Sequence, residues 1–205
     1  MRRGEAAGWL ACLALAACGP QPATEGGAAG GAGGPIAAET VAAALDSCRA
    51  GAPDAGLAVL DTAIARVPRS VDALATRGLC YWTRSATGDA PDADAGRAYD
   101  DLSAAIDAAR GGAEHATPLD RLYSHRAFVA RARDGAGWRE TLDDLDAAVR
   151  LAPRDPTHAL DRGVARLAAG DTAAARRDLA RFLVLADSGD VAKRDLVEAL
   201  MEETQ

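Results

Sequence analysis

Three stretches of this chain repeat one pattern. DALATRGLCYW (72–82), LYSHRAFVARA (122–132) and HALDRGVARLA (158–168) each set an arginine before a small residue, at Arg77-Gly78, Arg126-Ala127 and Arg162-Gly163. Each is followed by a second segment with apolar residues at helical spacing: AYDDLSAAIDAA (98–109), TLDDLDAAVRLAP (141–153) and AARRDLARFLVLA (174–186). A unit of two amphipathic helices cannot bury its apolar faces alone, so such units must stack on one another. That restricts the chain to a row of helical hairpins. Aromatic residues make up only 4% of the sequence. Helices built from alanine and glycine must therefore approach closely, and small residues at regular crossings permit it. Strand signals are absent, so the fold class is all-α.

The hairpin unit resembles the tetratricopeptide repeat (TPR), a helix-turn-helix of 34 residues. In that family small residues stand at positions 8, 20 and 27, a large apolar residue at 24 and often Pro at 32. Here position 8 is Gly78, Ala127 and Gly163, position 24 is Leu102, Leu145 and Leu179, and Pro68 and Pro153 occupy position 32. Successive position-8 residues lie 49 and 36 apart, so the excess over 34 is expected in loops, within SATGDAPD (85–92) and RGGAEHATP (110–118). A weaker first unit spans 36–68, with Gly56, Leu60, Ala63 and Pro68 in register. At the other end DVAKRDLVEALMEE (190–203) aligns Val191, Leu196, Val197 and Leu200 on one stripe, which suits a capping helix. The resemblance covers residues 36–203 and implies a right-handed superhelical stack of about four TPR-like repeats plus a C-terminal cap, one repeat domain over 36–205.

Within the resemblance, Arg at position 7 recurs with Asp at position 23: Arg77 with Asp101, Arg126 with Asp144, Arg162 with Asp178. Two readings are open, a row of anion-binding arginines or an internal ion pair that fixes the register of each hairpin. The constant Asp partner favours the pair, because buried charges are normally paired. Unit 1 has Ala43 and Val59 at these places and has lost both members together. On the ion-pair reading, Arg162→Ala strands Asp178 and destabilises the fold. Cys48 and Cys80 fall late in the first helices of units 1 and 2, which are neighbours in a TPR stack. They bond if their Cα atoms come within about 7 Å and stay free if they do not.

The N-terminus carries a different signal. Arg2 and Arg3 precede an apolar run from Trp9 to Ala17, then Cys18, Gly19, Pro20 and Pro22. The run has half the ~20 residues a spanning helix needs, and it reads as an export signal. Leu15-Ala16-Ala17-Cys18 resembles the bacterial lipobox, whose cysteine thiol takes diacylglycerol and becomes the mature N-terminus; the alternative is an ordinary signal peptide cut after Ala16. The lipobox implies a signal peptide over 1–17 and a permanently acylated (palmitate-bearing) Cys18. Gly19 in place of the aspartate that retains such proteins at the inner membrane implies the outer membrane, facing the periplasm. Residues 18–35, rich in Gly, Ala and Pro, read as a tether of roughly 23 Å.

Removing Arg2, Arg3 and Glu5 from 23 basic and 30 acidic residues leaves 21 and 29, a net charge of −8. This excludes nucleic acid and a polybasic membrane patch, leaving the bilayer contacted only through acylated Cys18. His115, His125 and His158 have no metal-ligand spacing, no Gly-x-Ser-x-Gly elbow occurs, and GDAPDADAG (88–96) lacks the Gly and Glu of an EF-hand. Its acids read as charges at a helix start. No catalytic residues, metal or cofactor are expected, and the chain reads as a binding protein. A TPR groove is lined by first helices. Carried onto this sequence it includes Trp82, Arg121, His125, Phe128 and Arg131, with Asp72 among the residues beside them, and it implies a protein or peptide partner from envelope assembly or peptidoglycan processing. For Trp82 and Phe128, packing between repeats is an equal alternative. An enzyme with an unannounced site and a packing subunit of a larger envelope complex are the other readings.

Overall fold

The computed structural model describes residues 36–86, 90–133, 138–187 and 189–203. The signal-like segment, Cys18 and the tether lie outside the described residues. The described chain falls into two compact bodies, 36–133 and 138–203. The first holds α1 (Ala38–Arg49), α2 (Pro53–Arg66), α3 (Val71–Ser85), α4 (Pro91–Arg110) and α5 (Leu119–Ala132). The second holds α6 (Trp138–Leu151), α7 (Pro156–Ala169), α8 (Thr172–Leu185) and α9 (Val191–Glu203). No strand occurs among the described residues, and none of the helices there is long and apolar enough to cross a membrane. The division falls between α5 and α6, which the repeat pattern assigns to one unit.

Helix starts follow from local chemistry. Pro53, Pro91 and Pro156 open α2, α4 and α7, where a missing N–H costs nothing. Ser70, Asp155 and Asp171 accept hydrogen bonds from the backbone N–H of Ala73, Thr157 and Ala174, capping α3, α7 and α8. Helix α7 ends on Gly170 at φ +88°, a left-handed turn that lets Asp171 N–H close on the Arg166 carbonyl.

In the first body each helix packs on the next, and α1, α3 and α5 also pack on one another in order. One core joins α1, α2 and α3 through Ala44, Cys48, Leu57, Leu60, Ala63, Ala73 and Cys80. A second joins α3, α4 and α5 through Val71, Leu74, Leu102, Ile106, Leu122 and Val129. In the second body α6 packs on α7, α7 on α8 and α8 on α9. There Leu160, Leu179, Phe182 and Val197 form the core, with Leu200 and Met201 against it. The small residues stand where helices touch. A β-carbon on Gly78 would lie 3.1 Å from Leu102 Cγ, and one on Gly163 would lie 3.0 Å from Leu179 Cγ, so the position-8 glycine meets the position-24 leucine in both bodies.

Three expectations need correction or completion. The extra residues of the second unit do not all sit in a loop: α4 has 20 residues against 14 in α8, so part of the excess is added helix from Pro91 onward. Pro91 supplies the helix start and Asp94 ties the added turn to α3. Val191, placed on the buried stripe of the capping helix, is 57% exposed, and Val197 alone of α9 is fully buried. Cys48 and Cys80 form a disulfide, with Cα atoms 5.4 Å apart.

Candidate functional site

Arginine organises each body through the same atoms. Arg77 on α3 donates from Nε and Nη2 to the two carboxylate oxygens of Asp101 on α4, at 2.8 and 2.7 Å, and from Nη1 to Asp61 on α2, at 2.8 Å. Arg162 on α7 repeats this with Asp178 on α8, at 2.9 and 2.6 Å, and Asp146 on α6, at 2.7 Å. A planar guanidinium matches a carboxylate through two parallel bonds, and its remaining edge reaches back to the preceding helix. One arginine thus clamps three helices. Arg166, one turn further along α7, donates to Asp178 at 2.8 Å and to Asp146 at 3.2 Å. Burial works against the charge of Arg162, but Asp178 and Asp146 outweigh it and hold its pKa above the ordinary arginine value. The pairs Arg77–Asp101 and Arg162–Asp178 are therefore formed as ion pairs within their bodies. Arg126 belongs to the first body and Asp144 to the second. Arg126 donates to Ser103 at 3.2 Å and lies over the rings of Tyr99 and Tyr123, at 5.5 and 5.6 Å.

A further fork escaped the repeat pattern. Arg84 donates from Nε and Nη2 to Asp94 at 2.7 and 2.8 Å and from Nη1 to Asp54 at 2.6 Å. Asp94 is 2% exposed, and the Arg84 guanidinium, with Arg97 beyond it, holds its carboxyl below the usual aspartate range. A carboxylate whose pKa falls on folding stabilises the fold above its unfolded value of about 3.9 and loses that contribution as pH falls through the folded value. Stability should therefore fall as the pH drops below about 4, and Asp94→Asn should flatten the part of the slope that belongs to this site. Urea unfolding across that pH range measures both; an identical slope in the variant would remove Asp94 from the account.

The sequence-derived groove residues lie on α3 and α5. Arg121, His125 and Phe128 recur at i, i+4 and i+7 on α5, with Arg131 a further three residues on, so they share one side of the helix. Arg121 and His125 are half-buried, Phe128 is 9% exposed and Arg131 is exposed. Trp82 is half-buried, its ring packed against the α3–α4–α5 core. The face thus runs from a buried phenylalanine to an exposed arginine. Asp72, at the start of α3, is committed elsewhere: it accepts from Ala116 N–H, Thr117 N–H and the Thr117 hydroxyl, at 2.9, 2.8 and 2.6 Å, and pins the 111–118 connection to α3. His158 is buried in the second body, its Nε2 3.9 Å from an Asp155 oxygen, and is a core histidine.

A cleft of about 570 Å³ opens beside α1 and α2, lined by Ile36, Thr40, Val59, Thr62, Arg66 and Val67 among others. Val59 is 42% exposed there, in the place where other units carry the clamping aspartate. No protein-family model, curated protein or solved structure matches the chain.

Proposed function

We propose that this chain is a lipid-anchored scaffold of the bacterial envelope, built from TPR-like hairpins and binding a protein or peptide segment across the α3–α5 face. The observation that carries the reading is the ordered packing of α1, α3 and α5 on one another, with Trp82 half-buried and Arg131 exposed on the second and third of these helices. Tryptophan and arginine are the residue types that anchor interfaces, since each offers a large contact area with a polar end. Arginine forks fixing neighbouring helices give such a face the rigidity that keeps binding entropy costs low. The anchor at Cys18 rests on the lipobox-like tetrapeptide, and a location at the outer membrane rests on Gly19. Phe128, nearly buried, belongs to packing more than to contact.

With the partner captured from envelope extract by the mature chain, Trp82→Ala and Arg131→Glu should each weaken capture by about 1–3 kcal/mol. Circular dichroism of both variants should match the parent. Unfolding in step with the loss of capture, or capture at parental strength, would count against the face.

A further inference from the structure

We infer that the Cys48–Cys80 disulfide is a redox fastener for α1: its reduction releases α1 from the first body while α3, α4 and α5 stay packed. The bridge joins α1 to α3 across 32 residues, and both cysteines are fully buried. Helix α1 packs on α2 and α3 but sinks few side chains into the body. It buries Ala44 and Cys48 alone, where α3 buries seven residues and α4 eight, and no side chain caps its start. The forks of Arg77 and Arg84 tie α2 to α3 and α4 through Asp61 and Asp54, and no residue of α1 takes part in them. The seat of α1 is also tight. A β-carbon on Gly56 would run into Cys48 Sγ and the Ala44 carbonyl, so α1 and α2 meet almost backbone to backbone at the bridge.

Reduction changes what this seat must contain. Both sulfurs are sealed from solvent in the closed body, so a dithiol reductant reaches one of them during a local opening of α1; its thiolate breaks the Cys48–Cys80 bond and forms a mixed disulfide. Its second thiol then displaces the protein sulfur and the reductant becomes a disulfide, so two electrons and two protons end on Cys48 and Cys80 as thiols. Two thiol sulfurs repel at bonding distance and must separate. Cys80 stands on α3, which α2, α4 and α5 hold in place, and its sulfur already lies 4.0 Å from the Ala44 carbonyl. Cys48 is wedged at Gly56. The displacement is therefore taken up by α1, which buries fewer residues than any other helix of the first body. Release of α1 is independent of whether the α3–α5 face binds a partner. With the anchor proposed above, release would move the first fixed helix seen from Cys18 from α1 to α2.

Amide hydrogen exchange on the mature chain tests this in three forms: oxidised, reduced with dithiothreitol, and as Cys48→Ser/Cys80→Ser. In the last two, exchange within Ala38–Arg49 should accelerate on the order of 100-fold, the scale expected for losing a cross-link over such a loop. Helices α4 and α5 should keep their protection. Unchanged exchange in α1 after complete reduction, verified by mass, would overturn the inference. So would loss of protection in α4 and α5 together with α1, which would make the bridge a fastener of the whole body.

Discussion

Asp178→Ala should destabilise the 138–203 body by about 3 kcal/mol, more than Arg162→Ala at the other end of the same ion pair. Removing one partner of a buried pair costs about 3–5 kcal/mol because the survivor keeps its charge without its compensation. The low end applies here. Arg162 and Arg166 remain 15% and 20% exposed, and both retain Asp146. The repeat pattern alone predicts that Arg162→Ala strands Asp178, but Arg166 still donates to Asp178 at 2.8 Å, so the acid keeps a partner. That variant loses charged hydrogen bonds worth about 1.5–2 kcal/mol without orphaning a charge. Hydrogen exchange at α7 and α8 gives both values. Equal costs, or a larger cost for Arg162→Ala, would show that Arg166 contributes nothing to Asp178.

This asymmetry shows where the sequence was legible. Arg77 with Asp101 and Arg162 with Asp178 could be paired because each lies within one repeated unit, at positions set by the hairpin. Asp61 and Asp146 were hidden because they belong to the preceding unit. Each nonetheless stands 16 residues before its arginine and immediately after the position-24 leucine, Leu60 or Leu145. Ser103 follows Leu102 in the same way and accepts from Arg126, so the place is a recurring seat for an acceptor. A search for acceptors one residue past that leucine would have found all three.

Other features were beyond pattern reading. GDAPDADAG has the composition of a turn, and its acids suit a helix start; Asp92 and Asp94 stand in the first turn of α4. That Asp94 is also a buried acceptor for Arg84 depends on how far α4 extends back along α3, which composition does not encode. The first unit has Ala43 and Val59 where the other units carry the paired arginine and aspartate, so the facing of Cys48 toward Cys80 could be posed from sequence but not decided. Val191 repeats the lesson from the other side: it continues the spacing of Leu196 and Val197, yet as the first residue of α9 it is left more than half exposed.

Cys18→Ser should abolish acylation altogether, the largest effect expected on the proposed reading. On that reading the thiol would be the acyl acceptor, and a serine hydroxyl at the same place is a far weaker nucleophile because it holds its proton. Three acyl chains on one residue give an anchor that is effectively permanent, whereas a single chain binds a bilayer with an affinity of only about 10⁴ M⁻¹. Nothing described in the two bodies offers a substitute. None of their helices can span a bilayer, and a chain that carries 29 acidic against 21 basic residues after its first seventeen is repelled by anionic lipid. Radiolabelled palmitate should therefore enter the parent and Cys12→Ser alike and be absent from Cys18→Ser, which should accumulate as an unprocessed precursor. Circular dichroism of the 36–205 region should be the same in all three, separating loss of the anchor from loss of the fold. Label entering Cys18→Ser at the parental level, or lost in Cys12→Ser instead, would move the acceptor away from Cys18 and take the envelope anchor with it.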